Sequence, residues 1–167
     1  MELLTAIETR ASAARLTTPG PGPDELRLLV GAAERAPDHG RLKPWRLILL
    51  EGELKSKFIA AAAEAKRRRV PTLSDAQVAA DRDKMGRSPC IIVVACVVNR
   101  EQTKIPEIEQ VVATSAAAEN LFLAAHDLGY GVMWKTGAAA YDGDVKDVLG
   151  MRSEDHIIGI MHVGTRV

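Results

Sequence analysis

The segment Glu34-Arg-Ala-Pro-Asp-His-Gly-Arg-Leu-Lys-Pro-Trp45 concentrates ligand-binding chemistry more than any other part of the chain. It joins an amphipathic helix to a strand, a junction that a handful of turn residues would serve. Here it carries Arg35, His39, Arg41 and Lys43, while Pro37 and Pro44 fix φ and bias Ala36 and Lys43 towards extended backbone. A stiff loop presenting cations and an imidazole suits an anionic, planar ligand. Further donors stand at element ends: Arg10 and Ser12 with Arg15 beyond, Trp134-Lys-Thr-Gly137, and Gly164-Thr-Arg166. Each also has a plainer reading, with Arg10 a cation at a helix C-terminus, Trp134 a core residue and Arg166 a solvated end. Together they are the side-chain types that hold a phosphate and the edge of a heteroaromatic ring.

Other chemistries find less support. His39, His126, His156 and His162 are scattered, with no His-x-x-x-His pair and no Cys-x-x-Cys, so no zinc spacing is present. Neither G-x-G-x-x-G nor a Walker A loop follows a predicted strand, so a phosphate would be held by side chains and helix ends. Ser12, Ser88 and Ser115 lack a nucleophile-elbow context. Cys90 and Cys96 share one apolar strand, about 20 Å apart, as inert core thiols in a reducing compartment.

The elements that must position these groups alternate between helix and strand. Leu3, Leu4 and Ile7 mark a short helix over 2–10, and Thr17-Thr-Pro-Gly-Pro-Gly-Pro23 is a rigid linker. Pro23 or Asp24 opens a second helix, followed by a strand over 46–51 and an Ala-rich helix from Gly52 to about Arg69. The run Lys66-Arg-Arg-Arg69 complements that helix's macrodipole. Ser74 with Gln77 has capping-box spacing for a helix to about Met85. Residues 89–98 form a β-branched run without alternation, as expected of a central strand covered on both faces. A long helix over 108–128 is apolar nearly all round, which predicts burial in the domain centre or in a subunit interface. Strands over 132–134 and 157–163 flank a short helix at 144–149. About six helices and four strands give an α+β layered arrangement.

Composition sets the outer bounds. At 167 residues the chain fits one domain, and its 22 Lys plus Arg balance 22 Asp plus Glu. Zero formal net charge argues against a general affinity for nucleic acid or anionic membrane, and does little to oppose self-association. No segment reads as a signal peptide, and the longest apolar run is about half a membrane span. A cytoplasmic location is expected.

These residues carry a family resemblance. Arg10-Ala-Ser-Ala-Ala-Arg-Leu16 resembles the N-terminal R-R-S-x-x-R-x element of FMN-dependent nitroreductases, and Ala36-Pro-Asp-His-x-x-x-Lys-Pro-Trp45 resembles their A-P-S/D-x-x-x-x-Q-P-W segment. Histidine after Asp38 is similar to the short, YdjA-like branch. The long helix, Gly129-Tyr-Gly-Val-Met-Trp134 and Gly164-Thr165 follow in the family's order, so the resemblance spans nearly the whole chain.

The resemblance implies one nitroreductase-like domain over 1–167, with a mainly antiparallel central sheet of about four strands flanked by helices. It implies a homodimer with the long helix in its interface and FMN shared between chains. By residue matching, Arg10, Ala11 (through its backbone) and Ser12 would hold the FMN phosphate and ribityl chain. Arg35 and His39 would contact the cofactor, some of these groups coming from the partner chain. Trp134, Lys135 and Thr136 match the branch's Trp-Arg-Ser segment beside the flavin. Of a nicotinamide-binding stretch at the end of the long helix, only Ala124, Ala125 and Gly129 match. Ala11, Ala14 and Lys43 depart from the pattern, which usually has arginine, a basic residue and glutamine there.

The implied activity is ping-pong hydride transfer from NADH or NADPH to FMN, then to a nitroaromatic, quinone or similar electron-poor acceptor. Such chemistry resides in the flavin and needs no protein acid or base. Lys135 or Arg35 would act as a cation stabilising the reduced flavin. The alternative is a flavin-binding storage, sensor or interaction protein with little turnover.

Overall fold

A computed structural model describes residues 1–167 as six α-helices and five strands. The helices are α1 (Leu3–Thr9), α2 (Pro23–Ala33), α3 (Gly52–Arg69), α4 (Asp75–Gly86), α5 (Glu107–Asp127) and α6 (Gly143–Val148). The strands are β1 (Leu16–Thr17), β2 (Trp45–Leu49), β3 (Cys90–Cys96), β4 (Gly131–Lys135) and β5 (His156–Arg166). Single 3-10 turns at His39–Arg41 and Ala138–Tyr141 complete the chain. Strand β1 is an addition to the four expected, formed where the proline-rich linker begins.

Local signals account for several boundaries. Ser74 Oγ accepts from the Gln77 N–H while the Gln77 side chain accepts from the Ser74 N–H, closing the capping box of α4. Pro23 starts α2, and the Gly22 N–H donates to the Glu25 carboxylate at 2.7 Å. Gly129, at φ +86°, turns the chain out of α5, with the Tyr130 N–H reaching back to the Ala125 carbonyl.

The sheet is antiparallel throughout, in the order β1-β5-β3-β2, with β4 on the other edge of β5. Strand β3 is buried along its whole length, and its alternate residues enter two cores. Ile91, Val93 and Ala95 pack with Phe58, Ala62 and Ile160 beneath α3 and α6. Cys90, Ile92 and Val94 pack with Leu29, Leu121, Phe122 and Met161 beneath α2 and α5. A covered strand gains nothing from polar alternation, which explains its uninterrupted apolar run.

The run Lys66–Arg69 does more than complement a dipole. Lys66 pairs with Asp81 of α4, and Arg68 holds Asp142 at the start of α6 at 2.7 Å and Asp144 at 3.0 Å. Three helices on one face of the sheet are thus tied together by the end of α3.

Helix α5 is buried on one side only: Ala117, Leu121, Phe122 and Ala125 face the core, while Ile108 and Val112 are 64% and 59% exposed, leaving an apolar outer side of the kind expected for a subunit interface. One expectation meets a different outcome. Lys43 lies in the left-handed region at φ +48° rather than in an extended conformation. Its N–H donates to the Asp38 carboxylate at 2.6 Å, and closing the loop in this way overrides the bias from Pro44.

Candidate active site

Pleating decides which residues of β4 can share a site. Lys135 and Met133 stand on one face of β4, and β5 places Ile160 and His162 opposite them in register. Trp134, between them, stands on the other face. Its indole N–H donates to the Ile158 carbonyl at 3.0 Å and the ring packs against the α2–α5 core. Gly159 leaves the room for it, since a Cβ there would lie 2.6 Å from the Trp134 Nε1. Trp134 instead borders a separate hollow with Thr136, Tyr141 and His156.

The face bearing Lys135 opens into a cleft beneath α3 and α4. One lobe, of ≈ 420 Å³, is lined by Ala62, Ala63, Met85, Ala138, Ala139 and Ile160, with Lys66, Asp81 and Thr136 around it. The other, of ≈ 380 Å³, is bounded by Ala13–Thr17, Arg87, Ser88 and Met133. Lys84, Lys135 and His162 belong to both.

The electrostatics of the cleft follow from this convergence. Burial, reinforced by the charge on Lys84, lowers the Lys135 pKa, with Asp81 opposing. Burial, then the charges of Lys135 and Lys55, push the His162 imidazole down to about 4. The cleft therefore combines an apolar wall, the Lys84 and Lys135 side chains and one uncharged imidazole. It suits an apolar planar body with an electron-rich edge.

The N-terminal segment runs beside this site. Ser12 bridges Val132 of β4, and the Ala13 N–H donates to the Val132 carbonyl at 2.9 Å. Arg10 turns towards α5, 4.7 Å above the Phe122 ring and 3.5 Å from the Glu119 carboxylate. Arg166 donates to the Ala11 carbonyl at 3.5 Å and to His126 Nδ1 at 2.9 Å. The other nitrogen of His126 meets the Thr9 hydroxyl at 2.9 Å. Since the guanidinium can only donate, Nδ1 accepts and Nε2 carries the proton. Burial and the charges of Arg166 and Arg10 lower the pKa of that ring. Arg10, Ala11, Ser12 and Arg166 are therefore gathered at the end of α5, next to β4.

Arg35 and His39 are not brought there. Arg35 follows the end of α2 on the surface, and His39 is exposed, with Nδ1 2.5 Å from the Glu109 carboxylate near the start of α5. Glu109 and Phe122 are separated by about 20 Å of helix. Ala125 is fully buried in the α2–α5 core. Gly129 caps the helix, and Ala124 is partly buried against the same core.

Lys84, Met133 and His162 escaped sequence reasoning. Lys84 looks like any cation in the last turn of a polar helix, and His162 like a polar interruption of an apolar strand. The β4–β5 register puts Met133 and His162 with Lys135, and the packing of α4 over that face adds Lys84.

The family pattern described as the Nitroreductase family matches residues 7–165 of this chain. YdjA of Escherichia coli (strain K12), named as an NAD(P)H nitroreductase, is 31% identical over 165 residues, covering 99% of this chain and 88% of its own. A Haemophilus influenzae protein named for the same activity is 30% identical over 169 residues, covering 99% and 89%. A crystal structure of a nitroreductase-like protein from Bacillus cereus superposes with a TM-score of 0.82 at 26% identity, covering 100% of this chain and 87% of that one. A Desulfovibrio desulfuricans protein solved in complex with FMN has the same fold, with a TM-score of 0.76 at 21% identity, covering 100% and 87%.

Proposed function

The chain belongs to the nitroreductase family, and from that premise we propose that it is an FMN-dependent oxidoreductase driven by NADH or NADPH. The observation that carries this reading is the cleft where Lys84 and Lys135 meet an apolar wall of Ala62, Ala63, Met85 and Ile160.

The residues fit such a cofactor. Ala62, Ala63, Met85 and Ile160 offer an apolar surface to a flat ring, and Lys84 and Lys135 would meet the ring edge that becomes electron-rich on reduction. Arg10, Ser12 and the Ala11 backbone, with Arg166, are the donors for a phosphate and the chain leading to it. Thr136 stands at the lip of the same lobe. When bound, FMN supplies the redox chemistry, a ping-pong exchange in which hydride comes from NADH or NADPH and leaves to a nitroaromatic, quinone or similar electron-poor acceptor. The protein's contribution is to orient the ring, to keep a positive field at its polar edge and to shield it from water on the α3–α4 side.

Arg35, His39 and Trp134 would complete the site only through a second copy of the chain, since within one protomer they lie on other surfaces. A homodimer is accordingly part of the proposal. Its surface would include the outer side of α5, with Ile108 and Val112, and the exposed Leu3, Leu4 and Ile7 of α1.

Purification with added FMN tests the reading. A yellow protein that bleaches anaerobically with NADH or NADPH, and recovers its colour with a nitroaromatic, is the expected result. A protein that takes up no FMN would overturn it, and one that binds FMN without bleaching would be a flavin binder rather than an enzyme.

A further inference from the structure

His162 is 3% exposed and sits where the two lobes of the cleft meet. Its Nε2 is the one buried side-chain nitrogen or oxygen in the protein without a hydrogen-bond partner. Buried polar groups are almost always paired, and an exception asks for a reason. An unpaired polar atom costs more than an apolar group of the same shape would, so leucine would serve the fold better at this position.

The surroundings do not supply a partner. Met133 on β4 and Ile91 on β3 flank His162 in register, and both are apolar. Lys55 and Lys135 act on the ring, and the cleft also carries Lys84, Arg15, Arg87 and the Lys66–Asp81 pair, none of which hydrogen-bonds its Nε2. Burial first, then the charges of Lys135 and Lys55, keep the ring neutral, and a neutral imidazole has one donor and one acceptor. Of the three residues common to both lobes, His162 alone can accept a hydrogen bond from a ligand as well as give one.

We propose that His162 is a ligand-positioning residue of this cleft: its imidazole hydrogen-bonds a polar group on a planar heteroaromatic ligand, at the ring edge or on the chain linking ring to phosphate. On the flavin reading, its partner would be a polar group of the ring edge or a hydroxyl of the linking chain.

FMN titration of the apo-protein, followed by flavin fluorescence, tests this alongside thermal melts of the same samples. The unsubstituted protein is expected to bind FMN. His162→Leu is expected to weaken binding about tenfold or more, while its apo form melts at the same or a higher temperature. His162→Gln, which restores a donor and an acceptor, is expected to stay within about threefold of the original affinity. Unchanged affinity in His162→Leu overturns the inference and leaves the flavin reading standing. An apo His162→Leu protein that melts lower or fails to fold also overturns it, since the ring would then be structural. Failure of the unsubstituted protein to bind FMN overturns the flavin reading itself and the inference with it.

Discussion

Lys135 ends an edge strand with its side chain exposed at the cleft, where partial desolvation and the charge of Lys84 lower its pKa. A cation fixed there is stabilising when negative charge develops beside it. Lys135→Met should therefore lower the two-electron midpoint potential of bound FMN, by about 30 mV for each ~1.4 kcal/mol of lost stabilisation. Spectroelectrochemistry reads this directly, and an unchanged potential would remove the charge-stabilising role. His162 makes a second prediction at this scale. In the unfolded chain both buried imidazoles titrate near 6.5, whereas in the fold His162 is pushed down to about 4 and His126 is lowered as well. The unfolded state thus binds more protons in that window, and stability, complete above about 6.5, falls as pH drops towards 4. For one fully displaced site the slope approaches about 1.4 kcal/mol per pH unit. Asp155, whose pKa is lowered, adds its loss only below its ordinary value of 3.8. Melting temperature against pH should show the decline in the unsubstituted protein and a shallower one in His162→Leu.

At the scale of elements, the sheet explains what could be read in advance. The covered strand β3 and the long helix α5 are legible because their apolar runs have no competing interpretation. The capping box of α4 was legible because its reciprocal bonds need only Ser74 and Gln77. Facing was not legible. Trp134 and Lys135 are adjacent in one motif, but pleating sends them to opposite sides of the sheet, and the register with β5 is a long-range property. The same limit hid Lys84, and it left the Lys66–Arg69 run as a dipole effect when its partners are Asp81, Asp142 and Asp144 on other helices. Asp142 both accepts from the Val145 N–H at the start of α6 and holds Arg68. Asp142→Ala should therefore destabilise the protein by about 1–2 kcal/mol, as loss of a helix cap does. Phe58, fully buried between α3 and the sheet, should cost about 3–5 kcal/mol as Phe58→Ala. Chemical denaturation measures both, with Phe58→Ala the larger loss.

The whole molecule leaves apolar side chains on two of its helices, Leu3, Leu4 and Ile7 on α1 and Ile108 and Val112 on α5. A balanced charge of zero places no electrostatic barrier against two copies meeting there. Light scattering should give twice the mass of the 18.0 kDa chain. Paired Leu4→Asp and Val112→Asp substitutions should return it to one chain, with loss of FMN uptake and little change in the isolated fold, because both side chains are exposed. Retention of the dimer in that variant would move the interface elsewhere. The notch at Gly159 has a consequence of another kind. It clamps one of the chain's two tryptophans a single residue from Lys135, while the other, Trp45, lies on β2 at the far side of the sheet, about 14 Å or three strand spacings from β4. The protein thus carries two native emitters at unequal range from its cleft. Light absorbed by the nearer indole should pass more readily to a flavin chromophore, so the ratio of the two emissions, separated by Trp45→Phe and Trp134→Phe, becomes an optical ruler for where the ligand sits.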